Sequence, residues 1–244
     1  GGYGEDLKDY NLARLLRDLE KNVKGLKRLR ISSIEASQLT DEVIDVLRES
    51  KIIVRHLHIP IQSGSNTVLK RMRRKYTMEF FSERLVRLNE ALPQLAITSD
   101  VIVGFPGETE EEFMETYNFI RDHKFSELHV FPYSKRTGTP AARMEDQIDE
   151  GVKNERVHRL ITLNDQLAKD YAARFEGEVL EVIPEERYKL DPDKNLFEGY
   201  TDNYLKVVLP ADETMVGQIV RVKLTKAGYP YNEGQPVRII EDQE

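Results

Sequence analysis

His56 and His58 stand two residues apart in 52–61, a stretch rich in β-branched residues. In an extended chain both side chains point to one face. Asp100 and His129 sit in other strand-like stretches. Imidazole and carboxylate are the donors of a divalent-metal site, and such a site inside a barrel suits metal-dependent hydrolysis. The same four side chains also read as core or hydrogen-bonded groups that do no chemistry.

Three other stretches carry polar chemistry. Gln62-Ser63-Gly64-Ser65 has groups able to grip ribose hydroxyls, while Ser65 or Asn66 equally suits the cap of a following helix. Gly104-Phe105-Pro106-Gly107-Glu108-Thr109 reads as a strand end, a tight turn and a capped helix. Its backbone N–H groups could hold an anion, or the glycines could serve a sharp connection alone. No Gly-Lys-Ser/Thr follows, so it is not a Walker loop. Lys70-Arg71-Met72-Arg73-Arg74-Lys75 places five cations in six residues. They form either a solvated face or a clamp for phosphate or carboxylate.

The elements that position these groups alternate. Leucines at 12, 15, 16 and 19 recur at helical spacing, 27–33 reads as a strand, and Thr40 can cap a short helix. Residues 52–61, 97–104 and 127–133 are strand-like. Thr77 can cap the helix that Pro93 ends, and Thr109 with Glu112 has the spacing of a capping box. Strand alternating with helix predicts parallel pairing. The predicted fold is α/β: an incomplete TIM-like barrel, or a small doubly wound sheet, over 1–147. Four strands are too few to close a barrel, so the chain reads as a fragment whose earlier strands precede Gly1. A helical stripe over 148–177 predicts one long bracing helix ended at Gly177. Residues 178–244 alternate in short runs, at 179–182, 204–208, 219–224 and 237–240, between turn residues. This predicts a small all-β domain, a five-stranded Greek-key barrel like the OB fold.

Composition narrows the classes. The chain has 244 residues, 39% hydrophobic and 32% charged, with a net charge of −7. That excludes wholesale disorder and a polycation that coats nucleic acid by charge alone. No apolar run approaches the roughly 18 residues of a membrane span. Cysteine is absent, which excludes disulfides, thiolate metal sites and a cysteine nucleophile, and fits a reducing compartment. Residues 178–244 carry 8 basic and 14 acidic side chains, a net of −6. Nucleic-acid binding there rests on local stripes: Lys206, Arg221, Lys223 and Lys226 near Tyr200, Tyr204 and Tyr229.

Read together, several motifs match a known pattern. His58-Ile59-Pro60-Ile61-Gln62-Ser63-Gly64-Ser65, Met72-Arg73-Arg74, the run from Thr98 to Thr109, and Phe131-Pro132-Tyr133-Ser134 with Arg136-Thr137-Gly138-Thr139-Pro140-Ala141-Ala142 occur in order. The chain resembles the radical S-adenosylmethionine (SAM) methylthiotransferases. Ser32-Ser33-Ile34-Glu35 and Ala227-Gly228-Tyr229-Pro230-Tyr231-Asn232-Glu233-Gly234 point to the branch acting on N6-threonylcarbamoyladenosine, beside the tRNA anticodon. The resemblance covers the later part of the radical SAM barrel and a C-terminal TRAM domain.

The resemblance implies a transferase. The full-length enzyme would use SAM and two [4Fe–4S] clusters with an electron donor. A 5′-deoxyadenosyl radical removes hydrogen from C2 of the adenine, and a methylthio group is installed there. It implies that Gly1 and Gly2 approach the SAM amino group, Gln62 and Ser63 bond its ribose, and Arg74 pairs its carboxylate. The strand end from Val101 to Gly104 would pack against the adenine with Tyr133 completing the pocket, and Glu35 and Asp100 would face SAM or the target adenosine. The TRAM domain would grip the anticodon stem-loop, and Arg143 with Lys70–Lys75 would extend that surface. The family's cluster cysteines are not among these residues, so the chain is expected to hold no cluster and to be inactive alone, in the cytoplasm and away from membranes. Two other classes compete: a metal-dependent hydrolase using His56, His58, His129 and Asp100, and a non-catalytic RNA-binding module.

Overall fold

A computed structural model describes residues 3–4 and 6–237. The chain forms two compact units, 1–167 and 168–244, which divide within one helix. The Gly1 and Gly2 assignments lie outside the described residues.

The first unit holds a four-stranded parallel sheet in the order β1 (Leu29–Ile31), β2 (Ile53–His58), β3 (Ala96–Val103), β4 (Glu127–Pro132). Helix α1 (Leu12–Asn22) precedes β1. Helix α2 (Asp41–Glu49) connects β1 to β2. Two helices, α3 (Asn66–Arg71) and α4 (Met78–Ala91), lie between β2 and β3, and α5 (Glu110–His123) lies between β3 and β4. Helix starts follow side-chain caps: Thr40 accepts from Val43 N–H, Thr77 from Phe80 N–H, and Thr109 with Glu112 closes a full capping box. Asn66 does not cap its own helix; its Oδ1 accepts from Met78 N–H, 2.8 Å away, at the start of α4.

Period-2 alternation gives the sheet two unlike faces. Leu57, Ile97, Val101, Val103 and Leu128 join the core with Phe81, Phe113 and Phe125. Arg30, His56, His58, Thr98, Asp100, Ile102, His129 and Phe131 occupy the other face. A core lies on one side only, so a polar row survives on the other.

Helix α6 spans Glu150–Ala173, inside the 148–177 stripe and ending before Gly177. The second unit is a closed barrel of β5 (Val179–Arg187), β6 (Leu196–Thr201), β7 (Lys206–Pro210), β8 (Val220–Lys226) and β9 (Asn232–Pro236), ordered β5-β6-β7-β9-β8. Neighbours are antiparallel except β7 and β9, which run parallel. This is the order of a five-stranded Greek-key barrel of OB type. Val182, Phe197, Val207, Leu209, Val222 and Leu224 fill it. The last described strand lies at 232–236 and not at 237–240, most of which is outside the described residues.

Candidate functional site

Parallel sheets bind ligands beyond the carboxyl ends of their strands. Two adjoining cavities lie there. One, of about 480 Å³, is lined by Gln62, Asp100, Ile102, Phe131, Tyr133 and Arg136, among others. The second, of about 250 Å³, is bordered by Arg73, Arg74 and Phe105, and shares Ile102, Tyr133, Thr139 and Ala141 with the first.

Gln62 is held by its own backbone. Its N–H donates to Asp100 O at 2.9 Å, and its carbonyl accepts from Ile102 N–H at 2.8 Å. This pairing lies in left-handed backbone, φ 62°, a conformation that costs a non-glycine residue about 1–2 kcal/mol. The Tyr76 hydroxyl donates to Ile61 O at 2.9 Å and fixes the turn before it. Burial pushes the Tyr76 phenol up to about 12, the nearby Glu35 carboxylate adds to the rise, and Arg74 opposes it.

A polar chain crosses the open face of the sheet. Arg30 donates to His56 Nδ1 at 2.8 Å. A guanidinium only donates, so His56 carries its proton on Nε2, 3.0 Å from Thr98 Oγ1. The Thr98 oxygen is also 2.9 Å from His58 Nδ1, and His58 Nε2 lies 3.3 Å from Asp100 Oδ2. With the Thr98 proton on the His58 side, every donor points toward Asp100. Burial holds His56 down to about 3, with the Arg30 charge adding to the effect. His56 is therefore a neutral hydrogen-bonded side chain. His58, Asp100 and His129 remain together, with one ligand atom from each within 4.8 Å of the others.

The cationic run divides. Helix α3 stops at Arg71, and Arg73 adopts a left-handed φ of 57°. Arg71 is bidentate on Glu112 and reaches Gly107 O at 3.2 Å. Arg73 and Arg74 face the smaller cavity, and neither makes an ion pair among the described residues. Lys70 and Lys75 are exposed.

The structure brings Gln62, Asp100 and Tyr133 together, with Arg74 beside them. It separates three other predicted residues. Ser63 is wholly buried, and its hydroxyl lies 3.2 Å from Thr116 Oγ1 on α5, so its side chain does not reach the cleft. Gly104 lines neither cavity. Its φ is 70°, a Cβ there would lie 2.4 Å from Lys153 Cγ, and its N–H donates to Glu108 Oε1 at 2.8 Å. The turn after β3 thus spends that N–H on its own carboxylate, which is clamped by Arg156 at 2.7 Å. Glu35 is exposed and borders neither cavity. The sequence reading missed Arg136, Thr139 and Ala141, which line the cleft from the loop after β4. The only signal was the Arg136-to-Ala142 run, in which no residue stands out by chemistry.

On the barrel, the four predicted cations lie on two strands, β7 and β8. Lys206 lies on β7, 2.8 Å from Glu198 on β6. Arg221 and Lys223 are exposed on β8, and Lys226 is paired with Glu233 at 3.0 Å.

Among the described residues, no helix is long and apolar enough to cross a membrane. The radical SAM superfamily profile matches residues 1–120. The threonylcarbamoyladenosine tRNA methylthiotransferase MtaB of Bacillus subtilis (strain 168) is 74% identical over 243 residues, 100% of this chain and 54% of that protein. The tRNA-2-methylthio-N(6)-dimethylallyladenosine synthase of Thermoanaerobacter sp. (strain X514) is 38% identical over 239 residues, 98% of this chain and 50% of that protein. The chain spans about half the length of the curated relatives it matches. Coproporphyrinogen III oxidase from Escherichia coli, a radical SAM enzyme, is similar in structure with a TM-score of 0.52 over 64% of this chain and 36% of its own, at 22% identity. That likeness bears on the fold alone.

Proposed function

Because the chain belongs to the radical SAM methylthiotransferase family, we propose that it forms the SAM-facing and RNA-facing part of a tRNA methylthiotransferase. The substrate we infer is N6-threonylcarbamoyladenosine beside the anticodon, methylthiolated at C2. One observation carries the SAM reading: Gln62, Asp100 and Tyr133 meet Arg74 across two adjoining cavities at the strand ends.

The residues present fit SAM. Its carboxylate needs a cation not already committed, and Arg74 is one. Its ammonium and ribose hydroxyls need acceptors, which Asp100 and the Gln62 amide offer. Its adenine needs an apolar wall, which Ile102 and Tyr133 offer. The Tyr133 hydroxyl is buried with no hydrogen-bond partner among the described residues, a cost that a ligand in this cleft could relieve. When bound, SAM supplies the methyl group and the radical chemistry of the transfer. This chain's part is to bind and orient it, with Asp100 held by the chain from Arg30 through His58.

An iron–sulfur cluster does not fit these residues, since cysteine is absent and the usual thiolate ligands cannot come from this chain. We therefore expect no methylthio transfer by the chain alone. We read the barrel as a TRAM domain that holds the anticodon stem-loop, and the cytoplasm as the site of action.

Calorimetric titration with SAM tests the reading. Binding that weakens about tenfold or more in Arg74→Ala, and also in Asp100→Asn, is expected from loss of charged hydrogen bonds. Binding indifferent to both changes overturns the site. A second reading, a divalent metal on His58, Asp100 and His129, is favoured by their 4.8 Å cluster. Stoichiometric zinc that disappears in His129→Ala would support it.

A further inference from the structure

We infer that one outer face of the C-terminal barrel is a stacking platform for unpaired RNA bases, built from Tyr188, Tyr200, Tyr204 and Tyr231 around Lys206. The inference rests on the proposed tRNA substrate and specifies how this unit holds it.

Alternation along β6 and β7 sends Phe197, Thr201, Val207 and Leu209 into the barrel, each at most 1% exposed. It leaves Tyr200 and Lys206 outside, opposite each other in register. Tyr204 stacks on Tyr200 with centroids 4.8 Å apart and planes at 20°. Tyr188 meets Tyr231 edge-on at 5.1 Å. Lys206 Nζ joins the two pairs, 4.8 Å from the Tyr231 centroid and 5.9 Å from that of Tyr200. All five side chains are half-buried, so the rings are braced and still partly accessible.

The turn that delivers Tyr204 is built for that purpose. Tyr204 has a φ of 66°, an unusual conformation for a bulky residue. Buried Thr201 and Asn203 hold it: Leu205 N–H donates to Thr201 Oγ1 at 2.8 Å, and Thr201 Oγ1 donates to Asn203 Oδ1 at 2.6 Å. The Tyr171 hydroxyl donates to Asn203 O at 3.1 Å. The barrel core gains nothing from a ring placed outside it.

The chemistry selects the ligand. Aromatic faces stack any unpaired base. A duplex hides its base faces and is held mainly through phosphates. Here Lys206 is already partly neutralised by Glu198, and the unit is acidic overall. Loop nucleotides fit this face, whereas a paired stem does not.

The test uses the full chain and two labelled RNAs, a hairpin with an anticodon-sized loop and a fully paired duplex. The hairpin is expected to bind in preference to the duplex. Tyr200→Ala and Tyr231→Ala should each weaken hairpin binding roughly tenfold, while Tyr200→Phe keeps it. The salt slope should stay unchanged by the tyrosine substitutions and shallow, below that of about three phosphates. The protein lacks tryptophan, so its tyrosine emission should be quenched by the hairpin. Melting curves identify any variant that fails to fold, and Tyr200→Phe with the quenching still decides the matter. Hairpin binding undiminished in the alanine variants, or lost equally in Tyr200→Phe, overturns the platform alone. No binding of either RNA by the unsubstituted chain overturns the substrate reading and the platform with it.

Discussion

Burial decides which charged residues are structural. Glu108 and Arg156 form a 2.7 Å pair whose side chains are 1% and 5% exposed. Burial pushes the Glu108 carboxyl above its usual range, while the Gly104 N–H and Arg156 pull it back. Glu108→Gln would leave the buried guanidinium with only the more distant Glu110 carboxylate, 3.6 Å away, at a cost of about 3 kcal/mol. Urea denaturation at neutral pH checks this. His56 sets a pH dependence of opposite origin. Its folded value, about 3, lies below the ordinary 6.5. Below the ordinary value the unfolded chain binds a proton that the folded chain refuses. Stability from this group is therefore complete above about pH 6.5 and falls by up to about 1.4 kcal/mol per pH unit as the pH drops toward 3. His56→Gln should flatten that slope relative to the parent when denaturation is repeated from pH 7 to pH 5.

At the scale of elements, Glu112 serves two purposes. It completes the capping box of α5 and receives both fork nitrogens of Arg71 at the end of α3. Thr109→Ala should cost about 1 kcal/mol, the worth of a cap. Glu112→Ala should lower the melting temperature further, and should also weaken SAM binding by loosening the segment that carries Arg73 and Arg74. Equal shifts for the two variants would sever that link. The caps at Thr40, Thr77 and Thr109 were legible because a cap is a contact within one turn. The break after Arg71 was not, since Glu112 lies 41 residues away. Arg71 and Arg74 look alike in the sequence, and only their distant partners distinguish them. The same holds for Ser63, whose partner is Thr116.

For the molecule as a whole, two cores matter. The first unit's cluster runs from Ala13 to Leu167, and the barrel has its own. Gly234 sits inside the barrel, where a Cβ would lie 2.4 Å from Val222 Cγ1 and 2.9 Å from Val207 Cγ1. Gly234→Val should cost about 1–3 kcal/mol by overpacking. Hydrogen exchange should speed up across β5–β9 and leave β2–β4 nearly unchanged; uniform acceleration would show a single cooperative unit. By itself the sequence determined the alternation of strands and helices, the parallel sheet, the long helix and the family, because periodicity, caps and ordered motifs are local. Tertiary structure alone decided that Asn232-Glu233-Gly234-Gln235-Pro236, poor in strand formers, is a strand, since it pairs with β7 and β8. It also decided which cations face the cleft, and that Tyr188 and Tyr231 join Tyr200 and Tyr204 around Lys206. Those outcomes depend on side chains far apart in the chain, and spacing along a sequence carries no information about which of them meet.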